Sequence, residues 1–163
     1  MLNAPQQKTE IARVITDDES GISVIIPPCD DYIPTNVSDN SGYMVSYLCK
    51  NSKTEQGFSV FISINKVFNT TDDNIAYAAL EKNWLGDSSI MTFKTKTSNH
   101  TKILGYPALD YTGQQSAGGK FYDAKGEVVY LTGKYTLVDL IYYGNSITDT
   151  TFGQFVNSLK IKN

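Results

Sequence analysis

Histidine and arginine are almost missing from this 163-residue chain, which has one of each, His100 and Arg13. Reading phosphates or guanines normally depends on bidentate guanidinium groups, and a single arginine does not build such a surface. No lysine cluster replaces it: 14 basic residues face 17 acidic ones, for a net charge of −3, so nucleic acid is not an expected partner. Two cysteines and one histidine are too few for a structural zinc site. No apolar run approaches the ~20 residues that cross a bilayer as a helix. The opening residues, MLNAPQQKTE, contain neither the basic nor the apolar region of a signal peptide. Both a cytoplasmic protein and a mature chain whose signal has been removed fit that start.

Catalytic motifs are equally scarce. Nucleophilic catalysis needs a nucleophile, a base and a group that orients the base. His100 is the sole imidazole, and the stretch Ser98-Asn99-His100-Thr101 reads as a polar turn between strands. A cysteine enzyme would need Cys29 or Cys49 beside His100, and a solvated turn histidine is the simpler account. No G-x-S-x-G elbow is present, and Gly118-Gly119-Lys120 lacks the rest of a phosphate loop. Calcium-loop spacing is absent too, so no metal or other cofactor is expected. The adjacent pairs Asp17/Asp18, Asp30/Asp31 and Asp72/Asp73 fall in turns or caps. No catalytic residue is assigned.

What the chain does contain is aromatic and β-branched. Eleven tyrosines and seven phenylalanines suit pleated, half-buried surfaces. Residues 1–9 read as a flexible arm and 10–163 as one domain. Runs at 10–16 and 21–26 form a hairpin about the turn Asp17-Asp18-Glu19-Ser20, and Pro27-Pro28 ends the second strand. A polar loop is expected from there to about Ser41. Strands follow at 43–49 and 58–67, the latter with Phe58, Val60, Ile62 and Ile64 on one face. Asn69 to Asp73 offers N-caps for an amphipathic helix. Its apolar stripe is Tyr77, Leu80 and Trp84, widened by Ile75 and Ala79, and Gly86 is its stop.

Strands are then expected at 90–97, 102–112, 119–123, 127–131 and 134–143, with a turn at Asp123-Ala124-Lys125-Gly126. Phe152, Phe155, Val156 and Leu159 mark a second amphipathic helix, and Ser158 to Ile161 a short extended tail. The fold class is α+β, an antiparallel sheet with two main helices packed on it. Two features leave alternatives open. Cys29 and Cys49 are either buried thiols or a disulfide closing a loop of about 20 residues. Asp110 and Asp139 interrupt apolar strands; they either face solvent or line a shared ligand-binding patch with Tyr111, Tyr122 and Tyr142, the site of a small-ligand or metal-responsive envelope protein.

The order of segments GISVIIPPC, GFSVFISI, NIAYAALEKNWL, ILGYPALDYTG, VVYLTGKYTLVDLIYYG and TFGQFVNSLKI resembles the PsbP-like fold family. Gly105, Pro107 and Ala108 match that family's Gly-x-Pro-Ala strand entrance. Phe152, Phe155, Ser158, Leu159 and Lys160 match its closing helix. The resemblance implies an α–β–α sandwich and, in most members, no enzyme activity. Members include lumenal photosystem subunits, a Ran-binding regulator and bacterial envelope proteins. The envelope kind is closest, which favours a periplasmic or secreted protein with a protein partner.

Overall fold

A computed structural model describes residues 11–40, 42–53, 56–65, 69–84, 93–117, 120–144 and 148–162. The arm at 1–9 and Gly86 lie outside the described residues, as does the side chain of Trp84. Ten strands and two helices follow in the order β1 (Arg13–Asp17), β2 (Ile22–Ile26), β3 (Asp31–Asp39), β4 (Gly42–Lys50), β5 (Gly57–Asn65), α1 (Asp73–Trp84), β6 (Phe93–Ile103), β7 (Tyr106–Ala117), β8 (Lys120–Leu131), β9 (Thr136–Tyr143), α2 (Asp149–Asn157) and β10 (Lys160–Ile161).

Seven strands form one antiparallel sheet in the order β3-β4-β5-β9-β8-β7-β6, and a small sheet pairs β1-β2-β10. Consecutive residues of the central strands enter opposite cores. Ala108, Val129, Leu131, Leu140 and Tyr142 pack with the small sheet and with Phe152, Phe155 and Val156 of α2. Leu109, Val128, Tyr130, Ile141 and Tyr143 pack with Ala76 and Leu80 of α1. The large sheet is thus the middle layer of an α+β sandwich. One outer layer is α1; the other is α2 together with the small sheet.

Local chemistry explains the element boundaries. Asp17 turns the first hairpin by accepting the Ser20 backbone N–H at 2.9 Å. Asp72 caps α1, accepting from the N–H groups of Asn74 at 2.8 Å and Ile75 at 3.3 Å. Thr148 caps α2 through the Thr151 N–H at 3.2 Å. The two-residue turn between β6 and β7 is Leu104-Gly105, with φ of 52° and 85°. Asn-Gly is the favoured pair for such a turn, and a leucine in left-handed conformation costs about 1–2 kcal/mol.

Four sequence expectations are corrected. The expected loop before Ser41 contains a nine-residue strand, β3. Pro34 hides it in the sequence, yet β3 is an edge strand, where a missing N–H is tolerated. Ser98 to Thr101 is not a turn but part of β6, paired with Tyr111 to Ala108. Its polarity reflects an edge position. Asp123 to Gly126 is likewise no turn: β8 runs through it, paired with β7 on one side and, from Ala124 onward, with β9 on the other. Gly126 serves a different purpose there, because the Tyr111 ring lies where its Cβ would stand. Finally, Ile75 points outward from α1 with 52% exposure; among the described side chains Ala76 and Leu80 are buried, with Tyr77 partly buried against the same core.

Cys29, just beyond β2, is joined to Cys49 of β4 by a disulfide. It fastens the small sheet to the large one and closes a loop of 20 residues. Reduction, or the double change Cys29→Ser with Cys49→Ser, is expected to lower unfolding stability by about 3 kcal/mol on the chain-entropy account. Denaturant midpoints with and without reductant check this.

Candidate functional site

Asp110 and Asp139 do not share a patch. Asp139 sits in β9 between Val138 and Leu140 of the α2-side core, so its own side chain enters the α1-side core. It is fully buried, and the Tyr111 hydroxyl donates to its Oδ1 at 2.6 Å. Tyr122 lies on that same side, its ring 6.2 Å from that of Tyr143. Asp110 precedes Tyr111 by one residue and so faces the opposite side, the one to which Tyr142 also points. The five residues singled out in the sequence therefore divide as Tyr111, Tyr122 and Asp139 on one face, Asp110 and Tyr142 on the other. Strand periodicity signals this split for Asp110 and Tyr111. The relation between β7 and β9 depends on register, which composition does not carry.

On the Asp110 face the sheet brings together a group that spacing alone did not reveal. Glu127 lies directly opposite Asp110 across β7 and β8. Two residues away, Thr112 is opposite Lys125, and Lys125 is opposite Tyr142. Asp110 Oδ1 is buried and has no hydrogen-bond partner among the described residues. Burial, and then the Asp110 charge, push the Glu127 carboxyl up to about 7, while Lys125 opposes the shift. Lys125 reaches Asp149 at the start of α2, 3.1 Å away, and lies over the Phe152 ring at 5.1 Å. A concavity of about 300 Å³ opens beside it, lined in part by Thr112, Lys125, Tyr142 and Gly144.

His100 and the cysteines are engaged elsewhere. The imidazole stacks on Tyr77 of α1 at 4.1 Å, and its Nε2 is 2.7 Å from Glu81 Oε1. The Tyr77 hydroxyl donates to the Thr101 carbonyl at 2.6 Å. This group pins α1 to the edge strand β6. Cys29 and Cys49 are bonded to each other on the far side of the sheet. Among the described residues, no group of three or more His, Cys, Asp or Glu side chains is arranged to hold a metal ion.

Two outcomes follow from the two faces. Tyr111→Phe removes a donor from buried Asp139 and is expected to cost about 1–3 kcal/mol of stability, read from the denaturant midpoint. Glu127 behaves differently. Its folded pKa of about 7 lies above the ordinary 4.5, so between those values the folded protein holds a proton that the unfolded chain has lost. Stability from this group is present at low pH and declines as pH rises from about 4.5 to about 7. Glu127→Gln removes that slope, so its melting temperature relative to the wild type should rise between pH ~5 and pH ~8.

No family model matches the chain, and no curated protein matches it in sequence. Solved structures do. The cyanobacterial PsbP protein CyanoP from Synechocystis sp. PCC 6803 superposes with a TM-score of 0.56 at 13% identity, covering 98% of this chain and 96% of its own. A Pseudomonas aeruginosa protein of unknown function gives a TM-score of 0.38 at 12% identity, over 87% of this chain and 86% of its own. The first likeness spans both sheets and both helices. With its sandwich of α1, a seven-stranded antiparallel sheet, and α2 beside a small sheet, this chain has the PsbP-like fold.

Proposed function

We propose that this protein is a non-catalytic binding or accessory domain that acts through a protein partner in the bacterial cell envelope. The observation that carries the reading is where its reactive residues are spent. Both cysteines are consumed in a disulfide, and the lone histidine is held between Tyr77 and Glu81 as a fastening for α1. Asp139 is consumed in the core by Tyr111. Large apolar side chains are meanwhile left at the surface, among them Leu104, Tyr135, Val37 and Phe121. A disulfide supports an oxidising compartment, because cytosolic thiols are ordinarily kept reduced. No helix among the described residues is long and apolar enough to cross a membrane.

A small-ligand role keeps one observation in its favour, the concavity beside Lys125, Thr112 and Tyr142. A site shared by Asp110 and Asp139 is no longer part of that alternative. The experiment that separates the two is a size-exclusion comparison of the purified chain with and without native envelope extract, alongside a small-molecule thermal-shift and hydrolysis screen. The binding-domain reading expects a discrete protein complex and no turnover. Turnover without any complex would sink it.

A further inference from the structure

Lys125 has two carboxylates within its reach, one on the helix above it and one on its own strand. Its Nζ is 3.1 Å from Asp149 at the start of α2 and 5.1 Å from the centre of the Phe152 ring. Glu127 is two residues along β8, and two residues of strand advance about 6.7 Å with both side chains on one face. A lysine stem spans that distance, so the ammonium can serve Asp149 or Glu127 without movement of the backbone.

The two acceptors differ in environment. Asp149 is 93% exposed, and an ion pair with so open a carboxylate is weak and screened by salt. Glu127 is partly buried and directly opposite Asp110, whose Oδ1 is buried without a hydrogen-bond partner among the described residues. Protonated, Glu127 has no charge with which to attract Lys125. Ionised, it sets two carboxylates face to face where charges are poorly screened, and Lys125 is the cation that acts on it. Weak screening then makes this attraction stronger than the one to Asp149. A folded pKa of about 7 puts the exchange within the ordinary range of pH.

The remaining charges are remote from Glu127. Its neighbour on β9 is Leu140, and beyond Asp110 on β6 is Asn99. Asp123 is four residues along β8, and Lys94, opposite Gln114, is two strands and four residues removed. Asp149 is the only charged residue of α2. On the small sheet Arg13 lies over the Tyr32 ring, Asp17 and Glu19 act on the Tyr43 hydroxyl, and Asp18 pairs with Lys162. Lys160 is opposite Ser23, which faces outward between buried Ile22 and Val24.

We propose that Lys125 is a pH-driven latch: it holds the start of α2 through Asp149 while Glu127 is protonated, and crosses to Glu127 when that carboxyl ionises. The crossing unties the first turn of α2 from β8 and takes the ammonium from over the Phe152 ring. It also redraws the concavity that Lys125 lines together with Asp123, because the cation withdraws along β8 and the Asp123 carboxylate stays.

NMR of the full chain tests the latch. Phe152 ring resonances and the Glu127 side-chain carboxyl carbon are followed from about pH 5.5 to about pH 9. The expected result is one step in the Phe152 signals whose midpoint coincides with the Glu127 titration, near pH 7. Hydrogen-exchange protection of the Thr151 and Phe152 amides, corrected for the intrinsic pH dependence of exchange, should fall across the same step. Glu127→Gln should abolish the step and keep the protected state throughout. Lys125→Met should abolish it and keep the less protected state throughout. Asp110→Asn removes the opposing charge, so the midpoint should move down. His100→Gln, on the other face of the sheet, should leave the step unchanged. A Phe152 step that persists in Glu127→Gln, or no step while the Glu127 carbon titrates, overturns the latch. A Glu127 carbon that does not titrate over this range overturns it too, because the trigger is then missing.

Discussion

Two-sided burial of β8 and β9 is the constraint from which most of this molecule follows. A strand alternates its side chains whether or not the sequence is ready for it, so every second residue must suit one core and the rest must suit the other. Val138, Leu140 and Tyr142 satisfy the side of α2, while Ile141 and Tyr143 satisfy that of α1. Asp139 is the one charged member of β9. It is retained in the interior with Tyr111 as a hydrogen-bond donor. The same pairing makes room for large rings. Tyr111 lies over Gly126 and Tyr143 over Gly57, each glycine clearing the space that its cross-strand tyrosine fills.

The two faces of β7 and β8 also divide the chemistry. Toward α1, buried Asp139 accepts from the Tyr111 hydroxyl. Toward α2, the sheet outlasts its cover, and Asp110, Glu127, Lys125 and Thr112 form a polar margin beside the concavity. Burial first, and then repulsion from the opposed Asp110 carboxylate, raises the Glu127 pKa. Near neutral pH Glu127 therefore costs stability.

Much of the fold was legible because its signals are local. The β1–β2 hairpin, the alternation in β5, the caps of α1 and the Phe152–Leu159 stripe each depend on neighbours in sequence. The order of these segments was enough to point to the PsbP-like arrangement. The errors share a different origin. Pro34 in β3, Asp123 to Gly126 in β8 and Ser98 to Thr101 in β6 carry turn or loop residues that partner strands overrode. An edge strand can afford polarity and proline, and a strand paired on both sides can absorb a glycine that a ring needs. The candidate site was least legible. Which carboxylates meet is decided by register between strands far apart in the chain, so Asp110 found Glu127 and not Asp139.

The small sheet has its own consequence. Its first two strands begin the described chain, yet its third, β10, is Lys160–Ile161, whose partners are Ser23 and Ile22. During synthesis β1 and β2 emerge first and wait for nearly everything else before that sheet is complete. The disulfide lies on the early side of this interval, between residues only 20 apart. The bond between the first hairpin and β4 therefore joins segments made well before the strand that finishes the hairpin's sheet, and it does not depend on that strand.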